Sequence, residues 1–180
     1  MTAARVLVAG VGNVLCGDDG FGVEVARRLA AESWPPGVEV ADFGIRGVHL
    51  AYQLLDGYDL LVLVDALSQG EEPGTVFLLE PDVDSEPGRE VPITDAHGLD
   101  PESVLAIVRT LGGKIGRVLV VGCEPAELVE RIGLSAVVER AVEEAIRMVR
   151  DIIRNWSSGE PGLEAESRRE GTRKTEARTR

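Results

Sequence analysis

Apolar positions along this chain fall into two rhythms. Near-continuous apolar runs at Arg5-Val6-Leu7-Val8-Ala9, Val38-Glu39-Val40-Ala41-Asp42-Phe43, Asp59-Leu60-Leu61-Val62-Leu63-Val64-Asp65 and Arg117-Val118-Leu119-Val120-Val121-Gly122 read as strands. Between them the spacing turns helical. Phe21, Val25 and Leu29 lie four apart, a short helix is expected over Val48 to Leu55, and another over Pro101 to Leu111. Pro101 suits a first-turn position of that helix, and Gly112-Gly113 stops it. A final helix is predicted from Leu134 to Ile153, with Val138, Ala141, Val142, Ala145, Val149 and Ile152 on one face. The unbroken apolar run ending at Asp65 implies burial on both faces, as in the middle of a parallel sheet.

Thr75 to Glu80 follows Pro73-Gly74 too soon for a helical crossover, so it is expected to pair antiparallel at or near an edge. Pro81 to Asp95 reads as a loop, and loops of that length tend to carry function. Strands alternating with helices give the expected fold: a three-layer α/β/α sandwich around a mostly parallel, about five-stranded twisted sheet with one antiparallel strand.

Composition sets the outer limits. A chain of 180 residues with 44% hydrophobic content fits a single domain with an ample core. That domain is expected over residues 1–156. Residues 157–180 hold six basic and five acidic groups, with Leu163 their only large apolar side chain, and are expected to be a disordered tail without a catalytic part. The net charge of −12 therefore rises to −13 on residues 1–156, which argues against nucleic acid as a partner. No apolar run approaches the roughly 18 residues of a membrane span, and the N-terminus lacks a basic region followed by an apolar stretch. A cytoplasmic protein without a membrane partner is expected. The two cysteines, Cys16 and Cys123, are too few for a disulfide framework.

The chemistry concentrates in Gly10-Val11-Gly12-Asn13-Val14-Leu15-Cys16-Gly17-Asp18-Asp19-Gly20-Phe21-Gly22, a Gly-rich turn between the first strand and the first helix. Open α/β sheets bind their ligands at such turns. A dinucleotide fingerprint would need a glycine where Leu15 stands, and two carboxylates would repel a phosphate. Adjacent acids gain nothing for a core, so a cation is their natural partner. The plainer reading is helix capping, which Asp18 is expected to supply. Capping does not need both.

Asp19 after the first strand, Asp65 at the end of the central strand and His97 in Thr94-Asp95-Ala96-His97-Gly98 fall at corresponding places in this scheme. Parallel strands bring the first two to one sheet edge, over which the loop with His97 could fold. Two carboxylates and an imidazole suit Ni, Zn, Mn or Fe and leave coordination positions open. A strand-end Asp is also a common turn former, and His49 reads as structural. Cys16 beside His97 could suggest a thiol nucleophile, but nearby carboxylates would raise its pKa.

The first motif resembles the N-terminal signature of the [NiFe]-hydrogenase maturation endopeptidases. Leu63-Val64-Asp65-Ala66, His97-Gly98, Gly122-Cys123-Glu124-Pro125 and Gly133-Leu134-Ser135 follow in that family's order, so that the resemblance spans about residues 5–153. It implies a protease that removes a C-terminal extension from a hydrogenase large-subunit precursor after nickel insertion. It also implies that Asp19, Asp65 and His97 contact a divalent metal, the nickel of the substrate subunit. Two departures stand out. Many relatives carry Glu where Asp19 stands, and the family's Gly-Gly-Thr-type segment is here Gly44-Ile45-Arg46-Gly47, where Arg46 either marks a particular partner or pairs with an acid.

The rival functions are a phosphoacceptor receiver domain and a nucleotide-binding module, neither with protease activity. A receiver needs a Lys after its last strand, where this chain has Gly122-Cys123-Glu124.

Overall fold

The computed structural model describes residues 4–81 and 101–159. Five strands run through its centre: β1 (Val6–Val11), β2 (Val38–Gly44), β3 (Leu60–Ala66), β4 (Val76–Leu79) and β5 (Arg117–Cys123). Their order across the sheet is β2-β1-β3-β5-β4. The first four in that order are parallel, while β4 pairs antiparallel with β5 at an edge, Val76 opposite Cys123 and Leu79 opposite Val120. The helices are α1 (Phe21–Ala30), α2 (Gly47–Leu54), α3 (Pro101–Thr110) and α4 (Ala136–Ser158). The expected architecture is therefore the observed one.

Side-chain alternation along the strands divides the core in two. Val6, Val8, Leu60, Val62, Val64, Leu119, Val121 and Cys123 face α1 and α4. Leu7, Ala9, Val11, Leu61, Leu63, Val118 and Val120 face α2 and α3. β3 is buried from Leu60 through Asp65 because parallel neighbours and helices cover both its faces. On the outside, the guanidinium of Arg28 in α1 bonds Glu24, Glu139 and Glu143, two of them on α4.

α4 differs from expectation at both ends. It starts at Ala136 because Ser135 caps it, the hydroxyl accepting from Val138 N at 3.4 Å. It runs past Ile153 to Ser158, with Trp156 packed against the core, and stops where Gly159 turns left-handed at φ 69°. The helix thus takes in the first two residues assigned to the tail. The loop expected over Pro81 to Asp95 lies, apart from Pro81, outside the described residues, as do residues 160–180.

Candidate functional site at the carboxyl edge of the sheet

β1 is followed by α1 and by β2 on one side of it, whereas β2 leads through α2 to β3 on the other side. The chain reverses direction at β1, and the crevice outside the carboxyl ends of β1 and β3 is the topological switch point where α/β sheets take ligands. Asp19 sits in a single 3₁₀ turn, Gly17–Gly20, just beyond β1. Asp65 is the penultimate residue of β3, one step past the pairing of Gly10 with Val64. Both acids flank this crevice. Asp65 is buried and shares the α2/α3 face with Leu61 and Leu63 by alternation, whereas Asp19 is half-buried.

The glycines of the motif explain how the turn comes so close. A Cβ on Gly22 would lie 2.0 Å from the Val64 carbonyl oxygen and 2.5 Å from that of Val11. One on Gly10 would meet the Gly22 carbonyl oxygen at 2.2 Å. α1 therefore begins directly against the ends of β1 and β3, an approach that only glycine permits. Gly12, at φ 129°, has the Asp19 carbonyl oxygen 1.9 Å from where its Cβ would be. These glycines serve backbone packing, in keeping with the missing dinucleotide fingerprint.

The paired carboxylates go separate ways. Asp19 Oδ2 accepts from Asn13 N at 2.7 Å, which orients its carboxylate across the turn. Asp18 is fully buried and does not cap α1, whose N-cap is Gly20 with no side-chain bond. Instead Asp18 Oδ2 accepts from Ala126 N at 2.8 Å, Glu127 N at 2.9 Å and Ser135 Oγ at 2.9 Å, and Oδ1 accepts from Ser135 N at 2.6 Å. Burial alone would push this carboxyl up; the bonds from Ser135, Glu127 and Ala126 outweigh it and hold it below the usual range. Donors from a loop more than a hundred residues away take the place of the expected cation. The same loop is stitched to the turn by Gly17 N to Arg131 O at 2.7 Å and Arg131 N to Leu15 O at 3.0 Å.

Glu124, also buried, anchors the segment that follows Asp65. It accepts from Gln69 N at 2.6 Å and Glu71 N at 3.2 Å, while its own carbonyl takes Gly74 N at 2.8 Å. Glu124 and Ser135 escaped the reading of the sequence as positioning residues; their only signal was their place in Gly122-Cys123-Glu124-Pro125 and Gly133-Leu134-Ser135. Among the described residues Arg46 bonds no acid. Its guanidinium folds back onto the carbonyls of Phe43, at 3.1 Å, and Asp42, at 2.6 Å, closing the end of β2.

The buried thiol is not set up as a nucleophile. Cys123 is buried, and burial together with the charges of Asp18, Glu124 and Glu144 pushes its thiol up to about 12. The half-buried Cys16 takes a weak bond from Asn13 Nδ2 at 3.8 Å. His49 is exposed on α2.

His97 lies outside the described residues. α3 runs back toward the amino edge before β5, so Pro101, four positions after His97 in sequence, begins it at the carboxyl edge. Among the described residues no three His, Cys, Asp or Glu side chains are grouped so as to hold a metal ion. Asp19 and Asp65 bring two carboxylates to the crevice, and a third ligating side chain would come from outside the described residues.

Comparison with known proteins gives one consistent result. Residues 23–152 match the family model described as hydrogenase maturation protease. The hydrogenase 2 maturation protease of Escherichia coli is 32% identical over 168 residues, covering 89% of this chain and 94% of that protein. The hydrogenase expression/formation protein HupD of Rhizobium leguminosarum is 33% identical over 162 residues, 86% of this chain and 76% of that one. Among solved structures, the hydrogenase maturating endopeptidase HybD of E. coli superposes with a TM-score of 0.67 at 31% identity, covering 86% of this chain and 94% of that chain.

Proposed function

We infer what this site does from one premise: the chain belongs to the hydrogenase maturation protease family. It is a hydrolase that cuts a peptide bond in a hydrogenase large-subunit precursor. The bond lies near the C-terminus of that subunit, and the cut releases a short extension once nickel is in place. Asp19, Asp65 and His97 contact the nickel, which arrives as part of the substrate.

The observation that carries this reading is the placing of Asp19 and Asp65 on either side of the β1/β3 switch point. Carboxylate oxygens with one imidazole make a donor set suited to nickel, and three donors leave positions for the ligands that the substrate already supplies. A site of this kind recognises a metal held by another protein without enclosing it. Contact with the metal then fixes the precursor so that the scissile bond is presented in one orientation. Asn13 N on Asp19 Oδ2 contributes by fixing the carboxylate, as outer bonds do around metal ligands. A receiver or nucleotide role finds no support, since Gly122-Cys123-Glu124 offers no cation for a phosphoryl group and the turn is acidic.

The test mixes the purified protein with precursor subunit, loaded with nickel or nickel-free, and follows the mass of the released peptide. Release from the loaded precursor alone is expected. Equal release from both would reject the nickel checkpoint and keep the protease, whereas no release from the cognate loaded precursor would reject the activity.

A further inference from the structure

The loop that Asp18 anchors carries large apolar side chains into solvent. Leu128 is 57% exposed, Val129 52% and Ile132 80%, and Leu15 on the facing turn is 58% exposed. The loop and the turn that carry them are held side by side: Cys16 bridges Arg131, Arg131 N bonds Leu15 O at 3.0 Å and Gly17 N bonds Arg131 O at 2.7 Å. A Cβ on Gly17 would stand 2.8 Å from the Glu127 carbonyl oxygen and 3.4 Å from that of Val129, so the loop lies directly against the turn. Three exposed apolar groups within five positions of one exposed loop is not how a solvated loop is built.

We propose that Leu15, Leu128, Val129 and Ile132 form the docking surface for the large-subunit precursor, taking an apolar ridge of that protein with basic residues at its margin. The proposal rests on the function inferred above. Two features select the occupant. The surface is continuous with the turn bearing Asp19, to which five hydrogen bonds hold it, so a protein seated here has its neighbouring chain at the switch point. Its margin is acidic: Glu127 and Glu130 flank the apolar groups, Arg131 is paired with Glu127 at 2.8 Å, and the whole chain carries −12. A second copy of this chain would bring the same acids against each other across a twofold axis, which opposes self-association. A partner with Lys and Arg around an apolar centre meets both the apolar groups and the charge.

The experiment measures steady-state cleavage of nickel-loaded precursor by the full chain and by four variants. The double variant Leu128→Ser/Ile132→Ser is expected to raise KM about tenfold with kcat unchanged. Leu111→Ser, on an exposed apolar residue at the opposite edge of the sheet, leaves KM unchanged. Leu15→Ser repeats the test from the facing turn, so that any loss of fold in the double variant, read by circular dichroism, does not decide the result. Glu130→Lys is expected to raise KM at low salt, the rise shrinking as salt is added. An unchanged KM in both apolar variants overturns the proposal, as does a lower KM for Glu130→Lys. A wild-type dimer in sedimentation that Ile132→Ser dissociates also overturns it, by showing that a second copy covers the surface. Failure of the wild-type protein to cut at all is a separate outcome, which removes the functional reading and this one with it.

Discussion

Ser135 reaches Asp18 with both of its donors, the backbone N at 2.6 Å and the hydroxyl at 2.9 Å, across 117 positions of chain. One carboxylate thereby fixes the capping residue of α4, the loop before it and the turn that carries Asp19. Asp18→Asn keeps the shape but cannot accept four bonds as a carboxylate does, leaving buried donors without a full partner. The expected cost is about 3 kcal/mol, seen as a fall in Tm of roughly 6–12 °C.

The same carboxylate sets an acid limit. Its folded pKa lies below the unfolded value, because donated bonds outweigh its burial. Its contribution is therefore complete above the unfolded value of about 3.9 and is lost as pH falls through the lower folded value. Thermal melts from pH 6 downward should show the wild-type protein losing stability below about pH 4, and Asp18→Asn losing less over that window. Parallel curves would show that Asp18 is not the group responsible.

Gly22→Ala asks for a methyl group 2.0 Å from the Val64 carbonyl oxygen. The obstacle is backbone on two strands, so nothing nearby can rotate away. A destabilisation of at least about 3 kcal/mol is expected, at or beyond the upper end for overpacking. Urea unfolding of the variant provides the measurement, and a shift of less than about 1 kcal/mol would contradict this packing.

Calorimetric titration with Ni²⁺ addresses the proposed ligand set. Heat should fall sharply for Asp19→Ala, Asp65→Ala and His97→Ala alike, and processing of loaded precursor should be lost in Asp65→Ala while its circular dichroism spectrum is kept. Undiminished binding in His97→Ala would remove the imidazole from the set.

Cysteine chemistry gives the opposite expectation. With its thiol pushed up to about 12 and buried, Cys123 should resist alkylation in the folded protein and react only on unfolding. Cys16→Ser should process precursor at close to the wild-type rate. A loss of a hundredfold or more would restore a thiol mechanism.

Period and composition were enough to place every strand among the described residues to within a residue or two, because burial on one or both faces writes itself directly into the order of apolar residues. The antiparallel β4 was legible from a short connection alone. Asp18 and Asp19 show where such reading stops. Side by side they look like one acidic pair, yet one is a structural anchor and the other faces the switch point. The donors that separate them come from Ala126, Glu127 and Ser135, and local sequence carries no mark of so distant a contact. α4 was read as too short because polar Arg154 and Asn155 interrupt the apolar face just before Trp156 resumes it.

The position of β5 has a consequence for the order in which the protein can assemble. β5 lies between β3 and β4, yet both are synthesised before it. While the ribosome is still making the chain between Leu79 and Arg117, β4 has no strand to pair with, and β3, the most apolar strand, presents an open row of amides and carbonyls. The sheet closes only when β5 slides in as a wedge, so the vulnerable interval is set by the pace of elongation. A nascent chain released before Arg117 would expose that row permanently and should aggregate, whereas the chain carried through Ser158, which adds α4 over the sheet, should not.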